Sequence, residues 1–232
     1  MNLIPTGDFK MVLQGVILDV DGTLVLSNDA HAQAYVDAFS ELGYDVPFEH
    51  IRPLIGMGSD QLVPQVVPEL KDEGGKVKAI SERRKELIMS RYGPPLPPAN
   101  GARQLILHMQ QAGLRLMIAS SATSEEMQVL LKAAQVDDLL KEATTSSDAE
   151  ASKPAPDIVE AALSKVKMEP DQVLMIGDTP YDIKSAGAAG VGVIALRSGG
   201  FDDAALAGAK AIYDDPADLL AHYDDSPLGK TA

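Results

Sequence analysis

The stretch VLQGVILDVDGT, residues 12–23, decides how the rest of the chain is read. It is apolar and β-branched up to Val20 and then breaks at Asp21-Gly22-Thr23, which predicts a buried strand over residues 12–20 ending in a tight turn. From residue 27 to residue 92 the pattern turns wholly helical. Tyr35, Ala38, Phe39 and Leu42 recur at helical spacing before Gly43, and Val77, Ile80, Arg84, Leu87 and Ile88 repeat that period before Gly93. GPPLPPANGA, residues 93–102, reads as a stiff linker. Beyond it the apolar runs LRLMIAS (114–120), QVLMIGD (172–178) and VGVIAL (191–196) alternate with helical segments at 100–111, 123–134 and 156–166. Asn100 is the expected N-cap of the first of these, and Thr123 with Glu126 forms a capping-box pattern. Strands alternating with helices predict a parallel sheet covered on both faces. The expected architecture is an α/β, Rossmann-like core of residues 1–25 and 96–232, with an all-helical cap of residues 26–95 inserted after the first strand.

Composition narrows the function classes. The chain has 232 residues and a net charge of −14, which disfavours non-specific binding to nucleic acid or to anionic membranes. It has no cysteine, so disulfides, thiolate metal sites and a cysteine nucleophile are excluded, in keeping with a cytoplasmic location. No apolar run approaches the ~20 residues of a membrane span, and the opening MNLIPTGDFK lacks the apolar core of an export signal.

In a doubly wound sheet, ligands sit at the carboxyl ends of the strands. Those ends carry Asp19, Asp21, Gly22 and Thr23 after the first strand, Ser120 and Ser121 after LRLMIAS, and Gly177, Asp178 and Thr179 after QVLMIGD, with Asp182 one helical turn on. SKPAPD, residues 152–157, sets Lys153 just before a Pro-led helix. Several carboxylates in one crevice call for a hard cation, and oxygen-only ligands favour Mg²⁺. A cation beside Lys153 and Ser120 makes a pocket for a phosphate. Asp19 can then attack phosphorus, and Asp21 can protonate the leaving oxygen and later deprotonate water.

These motifs, DVDGT (19–23), the Ser120-Ser121 pair, Lys153 and GDTPYD (177–182), resemble in order the four motifs of the haloacid dehalogenase superfamily, and the resemblance spans essentially the whole chain. It implies Asp19 as nucleophile and Asp21 as general acid and base. It implies Mg²⁺ held by Asp19, the backbone carbonyl of Asp21 and Asp178, with Asp182 supporting that shell, and phosphoryl oxygens bound by Ser120, Ser121 and Lys153. Asp21 stands where the dehalogenases lack an acid, so an oxygen leaving group is expected.

The helical insertion resembles the caps of phosphoglycolate phosphatases, β-phosphoglucomutases and phosphonoacetaldehyde hydrolases. The loop IRPLIGMGSDQL, residues 51–62, resembles their specificity loop and brings Arg52, Gly56, Met57 and Ser59 forward as substrate contacts, with His31 near the hinge. Ser59 falls where phosphonate hydrolases carry Lys and mutases carry Arg, which leaves a phosphatase, and the Gly-Met-Gly sequence looks most like the phosphoglycolate branch. Leu26 replaces an Asp usual beyond the first motif, although Ser27 remains. The reading is a Mg²⁺-dependent phosphatase of a small phosphorylated metabolite, with a sugar-phosphate mutase and a non-catalytic phospho-ligand module as alternatives. No feature specifies an oligomeric state, monomer or dimer. The run from Lys71 to Arg91, with seven basic and four acidic residues, reads as a solvated helix face or as a funnel for anionic substrate. The acidic tail, residues 214–225, reads as a solvated last helix.

Overall fold

The computed structural model describes residues 12–71, 73–93 and 96–230; the N-terminal segment MNLIPTGDFK, Asp72 and two prolines of the linker, Pro94 and Pro95, lie outside the described residues. β1 (Gly15–Leu18) is buried at every position, which is why it carries no polar alternation. The helical insertion follows as α1 (Asn28–Glu41), α2 (Phe48–Ile51), α3 (Ser59–Val66) and α4 (Gly74–Leu87), the last running into a π turn at Ile88–Tyr92. The chain then alternates through α5 (Ala102–Gln111), β2 (Arg115–Ala119), α6 (Ser124–Ala133), β3 (Ala143–Thr144), α7 (Asp157–Val166), β4 (Val173–Gly177), α8 (Pro180–Ala188) and β5 (Gly192–Leu196), and closes with β6 (Ala211–Tyr213) and α9 (Pro216–Ala221). No helix among the described residues is long and apolar enough to cross a membrane.

All strand pairings are parallel, in the order β3-β2-β1-β4-β5-β6. The order reverses at β1 and β4, the place where an open α/β sheet leaves a crevice. Leu18 is in register with both Ile118 and Ile176, so the three central strands end level and deliver Asp19, Ser120 and Asp178 to one edge. Val16 and Leu18 face one apolar layer with Leu105, Ile106 and Leu130, whereas Ile17 faces the other with Ile158, Val159 and Ala162. The insertion has an apolar cluster of its own, centred on Phe39, Ile51, Leu62, Leu70, Ile80 and Ile88. Its entry and exit run side by side: Val25 bridges Pro98 antiparallel, with Leu26 N donating to Pro97 O at 3.0 Å and Ala99 N to Leu24 O at 2.9 Å.

Two expectations are corrected. Asn100 does not cap α5; Gly101 takes that position at φ 76°, and the Asn100 amide donates to Asp215 instead. The acidic tail is less solvated than expected, because α9 buries Pro216 and Leu219 and packs on α5. In the run from Lys71 to Arg91, Lys76, Arg83, Lys85 and Arg91 pair with Glu73, Glu41, Glu82 and Asp37, and Arg84 turns inward. The Thr123–Glu126 capping box is formed as expected.

Candidate active site

The level strand ends and the insertion enclose a cavity of about 60 Å³. Its core wall is Asp19, Ser120, Ser121 and Lys153, and its other wall brings His31, Tyr35, Gly56, Met57, Ser59 and Arg84 from the insertion. Asp21 stands between the two.

Asp19 leaves β1 and is almost fully buried, as is Lys153. Lys153 Nζ donates to Asp19 Oδ1 at 2.5 Å, to Asp182 Oδ1 at 2.8 Å and to the Ala119 carbonyl at 3.2 Å. Asp182 is held there by the start of α8, where its Oδ2 accepts from Thr179 N and Thr179 Oγ1 in a second capping box. Asp178, fully buried, accepts from Thr23 Oγ1 at 3.0 Å and from Asn28 Nδ2 at 2.8 Å. Gly22 makes this approach possible: it sits at φ +73°, and a Cβ there would lie 2.1 Å from Asp178 Oδ2.

Carboxylate oxygens of Asp19, Asp178 and Asp182 lie within 4.8 Å of one another, all buried. Burial, opposed by Lys153 and reinforced by Asp182 and Asp21, pushes the Asp19 carboxyl up to about 8. Burial with the Asp19 and Asp182 charges likewise raises Asp178 well above the carboxylate range. Lys153 is buried yet stays above its ordinary range, because Asp182 and Asp19 outweigh desolvation. Three hard oxygen donors with one ammonium between them are short of positive charge, so this donor set fits a divalent cation.

Asp21 has the opposite surroundings. Its Oδ1 accepts from Ser27 Oγ at 2.5 Å and faces His31 Nε2 at 2.8 Å. His31 Nδ1 lies 3.3 Å from Arg84 Nη1, so the ring is held between that guanidinium and Asp21, which its Nε2 faces. Arg84 Nη1 also pairs with Glu126, whose other oxygen accepts from Thr123 N and Thr123 Oγ1 in the capping box of α6. Burial alone would raise Asp21; His31, the Ser27 hydroxyl and Arg84 outweigh it and hold the carboxyl below the ordinary range.

The two serines divide their work. Ser120 Oγ accepts from Ala122 N at 3.1 Å, whereas Ser121 Oγ is buried with no partner among the described residues, leaving a hydroxyl free at the cavity wall. Ser59 accepts from Ser81 at 2.9 Å and shares a 2.6 Å hydrogen bond with Tyr35. Gly56, at φ +110°, lies so close to α8 that a Cβ would stand 2.7 Å from Thr179 Cγ2, which is how the loop of the insertion reaches the sheet edge. Arg52 is the exception among the expected substrate contacts. Its guanidinium is committed to Asp29 and the Gly199 carbonyl and does not line the cavity. Tyr35, Arg84 and Glu126 were not foreseen as site residues; the signal for Arg84 was its place in the apolar period of Ile80, Leu87 and Ile88, where a solvated arginine has no reason to sit.

A family model described as haloacid dehalogenase-like hydrolase matches residues 16–196. Protein SUPPRESSOR OF QUENCHING 1, chloroplastic, of Arabidopsis thaliana is 31% identical over 239 residues; the match covers 99% of this chain, which spans 22% of that relative's length. A phosphoglycolate phosphatase of Rhodospirillum rubrum is 28% identical over 215 residues, 89% of each chain. The crystal structure of a hydrolase from Pseudomonas syringae superposes with a TM-score of 0.85 at 29% identity, covering 91% of this chain and 98% of that one. The matched segment runs from within β1 to the end of β5 and so takes in every element that builds the cavity; the chain belongs to the haloacid dehalogenase-like hydrolases and is an enzyme of the phosphatase type.

Proposed function

We propose that this chain hydrolyses a small phosphomonoester through a phosphoryl group carried on Asp19. The observation that carries the reading is the placement of Asp19: buried at the end of β1, 2.5 Å from Lys153 and grouped with Asp178 and Asp182. Asp19, Asp178 and the backbone of Asp21 would hold Mg²⁺, with Asp182 kept behind them by Lys153 and Thr179; when bound, the ion neutralises phosphoryl oxygens and fixes the carboxylate as an anion. Asp19 Oδ attacks phosphorus while the bond to the ester oxygen breaks, and water later attacks phosphorus to release phosphate and restore the carboxylate. Lys153, the free Ser121 hydroxyl and the Ser120 segment take up the charge on the equatorial oxygens.

Asp21 supplies the leaving oxygen with a proton and removes one from the attacking water. Its carboxyl faces His31 Nε2 and Ser27 Oγ and is held below the ordinary range, so it takes up a proton from solvent before the ester bond breaks and regains one from the attacking water. The insertion, residues 26–95, acts as a cap that excludes water and contacts the leaving group. Ser59, neutral and hydrogen-bonded to Tyr35 and Ser81, stands where the mutases it resembles carry the Arg that holds a second phosphate, which favours a phosphatase.

The test is phosphate release from a panel of small phosphomonoesters, with Mg²⁺ and with EDTA, for wild type beside Asp19→Asn. Mg²⁺-dependent release that vanishes in the variant is the expected result. Release that persists in Asp19→Asn, or no release from any ester, would overturn the reading.

A further inference from the structure

Asn28, the first residue of α1, brings a side chain of the insertion to the acidic group on the sheet edge. It is 4% exposed. Its Nδ2 donates to Asp178 Oδ2 at 2.8 Å and to the Gly199 carbonyl at 3.1 Å. Both neighbours only accept, so the amide cannot turn over without setting oxygen against oxygen. Its Oδ1 is buried with no hydrogen-bond partner among the described residues. A buried acceptor left unpaired is costly, and natural interiors rarely keep one. The position therefore favours what the nitrogen does over the needs of the oxygen. What the nitrogen does is hold Asp178. A Cβ at Gly199 would stand 1.7 Å from Asp178 Oδ2, and one at Gly22 would stand 2.1 Å from it, so backbone closes on that oxygen from two sides and Asn28 is its polar partner. The other oxygen, Oδ1, accepts from Thr23 Oγ1 at 3.0 Å. One donor from the core and one from the insertion thus fix the plane of this carboxylate. Arg52 braces the arrangement: its Nη2 donates to the same Gly199 carbonyl at 2.6 Å and its Nε to Asp29, the next residue of α1, at 2.5 Å.

We infer that Asn28 is a positioning residue for the divalent cation: by orienting Asp178 from the insertion, it sets the affinity of the site and its preference for Mg²⁺ over Ca²⁺. The inference rests on the cation reading above and adds to it a residue outside the three carboxylates. A carboxylate held by hydrogen bonds is a ligand already aimed, and partners of this kind are worth about 10–100-fold in metal affinity. Mg²⁺ demands near-octahedral angles whereas Ca²⁺ accepts varied ones, so a ligand freed to rotate harms Mg²⁺ binding more. Because the donor belongs to α1, seating of the insertion and binding of the cation favour each other reciprocally.

The experiment measures the Kd of Mg²⁺ and of Ca²⁺ by titration calorimetry on metal-stripped protein, in wild type, Asn28→Ala, Asn28→Leu and Asp178→Asn, with urea unfolding in EDTA as a check on folding. Leucine keeps the branched shape of asparagine without a donor or an unpaired carbonyl, so Asn28→Leu tests the nitrogen even where Asn28→Ala folds poorly. The expected result is a Mg²⁺ Kd raised about 10–100-fold in both Asn28 variants, with a smaller rise, below about tenfold, for Ca²⁺. An unchanged Mg²⁺ Kd with only lower stability in EDTA would make Asn28 a strut between insertion and core, and overturns the inference. So does a Kd raised equally for the two cations. Asp178→Asn separates the two levels. If wild type binds Mg²⁺ and Asp178→Asn does not, while the Asn28 variants bind as wild type does, only the Asn28 inference fails. If wild type binds no Mg²⁺, or Asp178→Asn binds it as wild type does, the cation reading fails and this inference with it.

Discussion

At the core end of the cavity one ammonium, Lys153, faces Asp19, Asp178 and Asp182, and the acids outnumber the base. At the insertion end Arg84 and His31 face Glu126 and Asp21, and each acid has a donor of its own. The first arrangement is short of positive charge and fits a cation; in the second the acids are paired, and only Arg84 Nε is buried without a partner among the described residues. Two aspartates separated by a single residue thus titrate in opposite directions, Asp19 upwards and Asp21 downwards, because they turn to different ends. On the proposed reading, the metal chemistry belongs to the end built on the α/β core, and the choice of substrate belongs to the end the inserted helices bring.

The comparison breaks most visibly at Asp19. Asp19→Asn should lower kcat/KM by at least ~10⁴-fold, about 5.5 kcal/mol in the barrier, while circular dichroism stays unchanged. Removing the shared base comes next. Lys153→Met leaves Asp19 and Asp182 buried without their cation, and breaking a buried pair costs about 3–5 kcal/mol; urea unfolding in EDTA should show that loss, and saturating Mg²⁺ should restore part of it. Mg²⁺ itself should stabilise wild type by about 2.7 kcal/mol at 100 times its Kd, an effect that Asp178→Asn should abolish in the same unfolding assay.

The two ends also predict opposite pH slopes. Asp19, raised from 3.8 to about 8, keeps its proton in the folded chain when the unfolded chain has released it. Its contribution is therefore complete below 3.8 and lost as pH rises towards about 8, so the melting temperature in EDTA should fall over that window and Asp19→Asn should flatten the fall. Asp21, lowered below 3.8, contributes above that value and loses its contribution as pH drops through its folded pKa, so Asp21→Asn should flatten only the acid limb. The smallest effect is expected at Ser59→Ala, which removes the hydroxyl that Tyr35 and Ser81 share and should cost about 1 kcal/mol in the same melts.

The sheet's centre was legible because β1, β2, β4 and β5 are buried on both faces and read as unbroken apolar runs. β3 has two residues and β6 has three half-buried ones, so neither leaves a pattern strong enough to stand out from its loops. The core end of the site was equally legible: Asp19, Ser120, Lys153 and Asp178 each follow a strand or precede a helix, and the sheet's register brings them together. The insertion end was not. Which of seven basic residues turns inward depends on the packing of α4 against α1, and Arg84 differs from its neighbour Arg83 by one step around the helix. Arg52 failed for a related reason, because its loop position alone did not reveal that Asp29 and Gly199 would claim its guanidinium.

The ion pair at the heart of the sheet edge joins residues 134 positions apart. A ribosome working at ~5–20 residues per second needs about 7–27 s to travel from one to the other. Throughout that interval β1 exists without β4, the strand that flanks it, and Asp19 is an ordinary hydrated carboxylate. The helical insertion is synthesised within the same interval and carries an apolar cluster of its own to collapse around. The proposed nucleophile is thus made well before its partner, and a nascent chain cut short between Asp21 and Lys153 carries the Asp-x-Asp motif but not the charge that pairs with it.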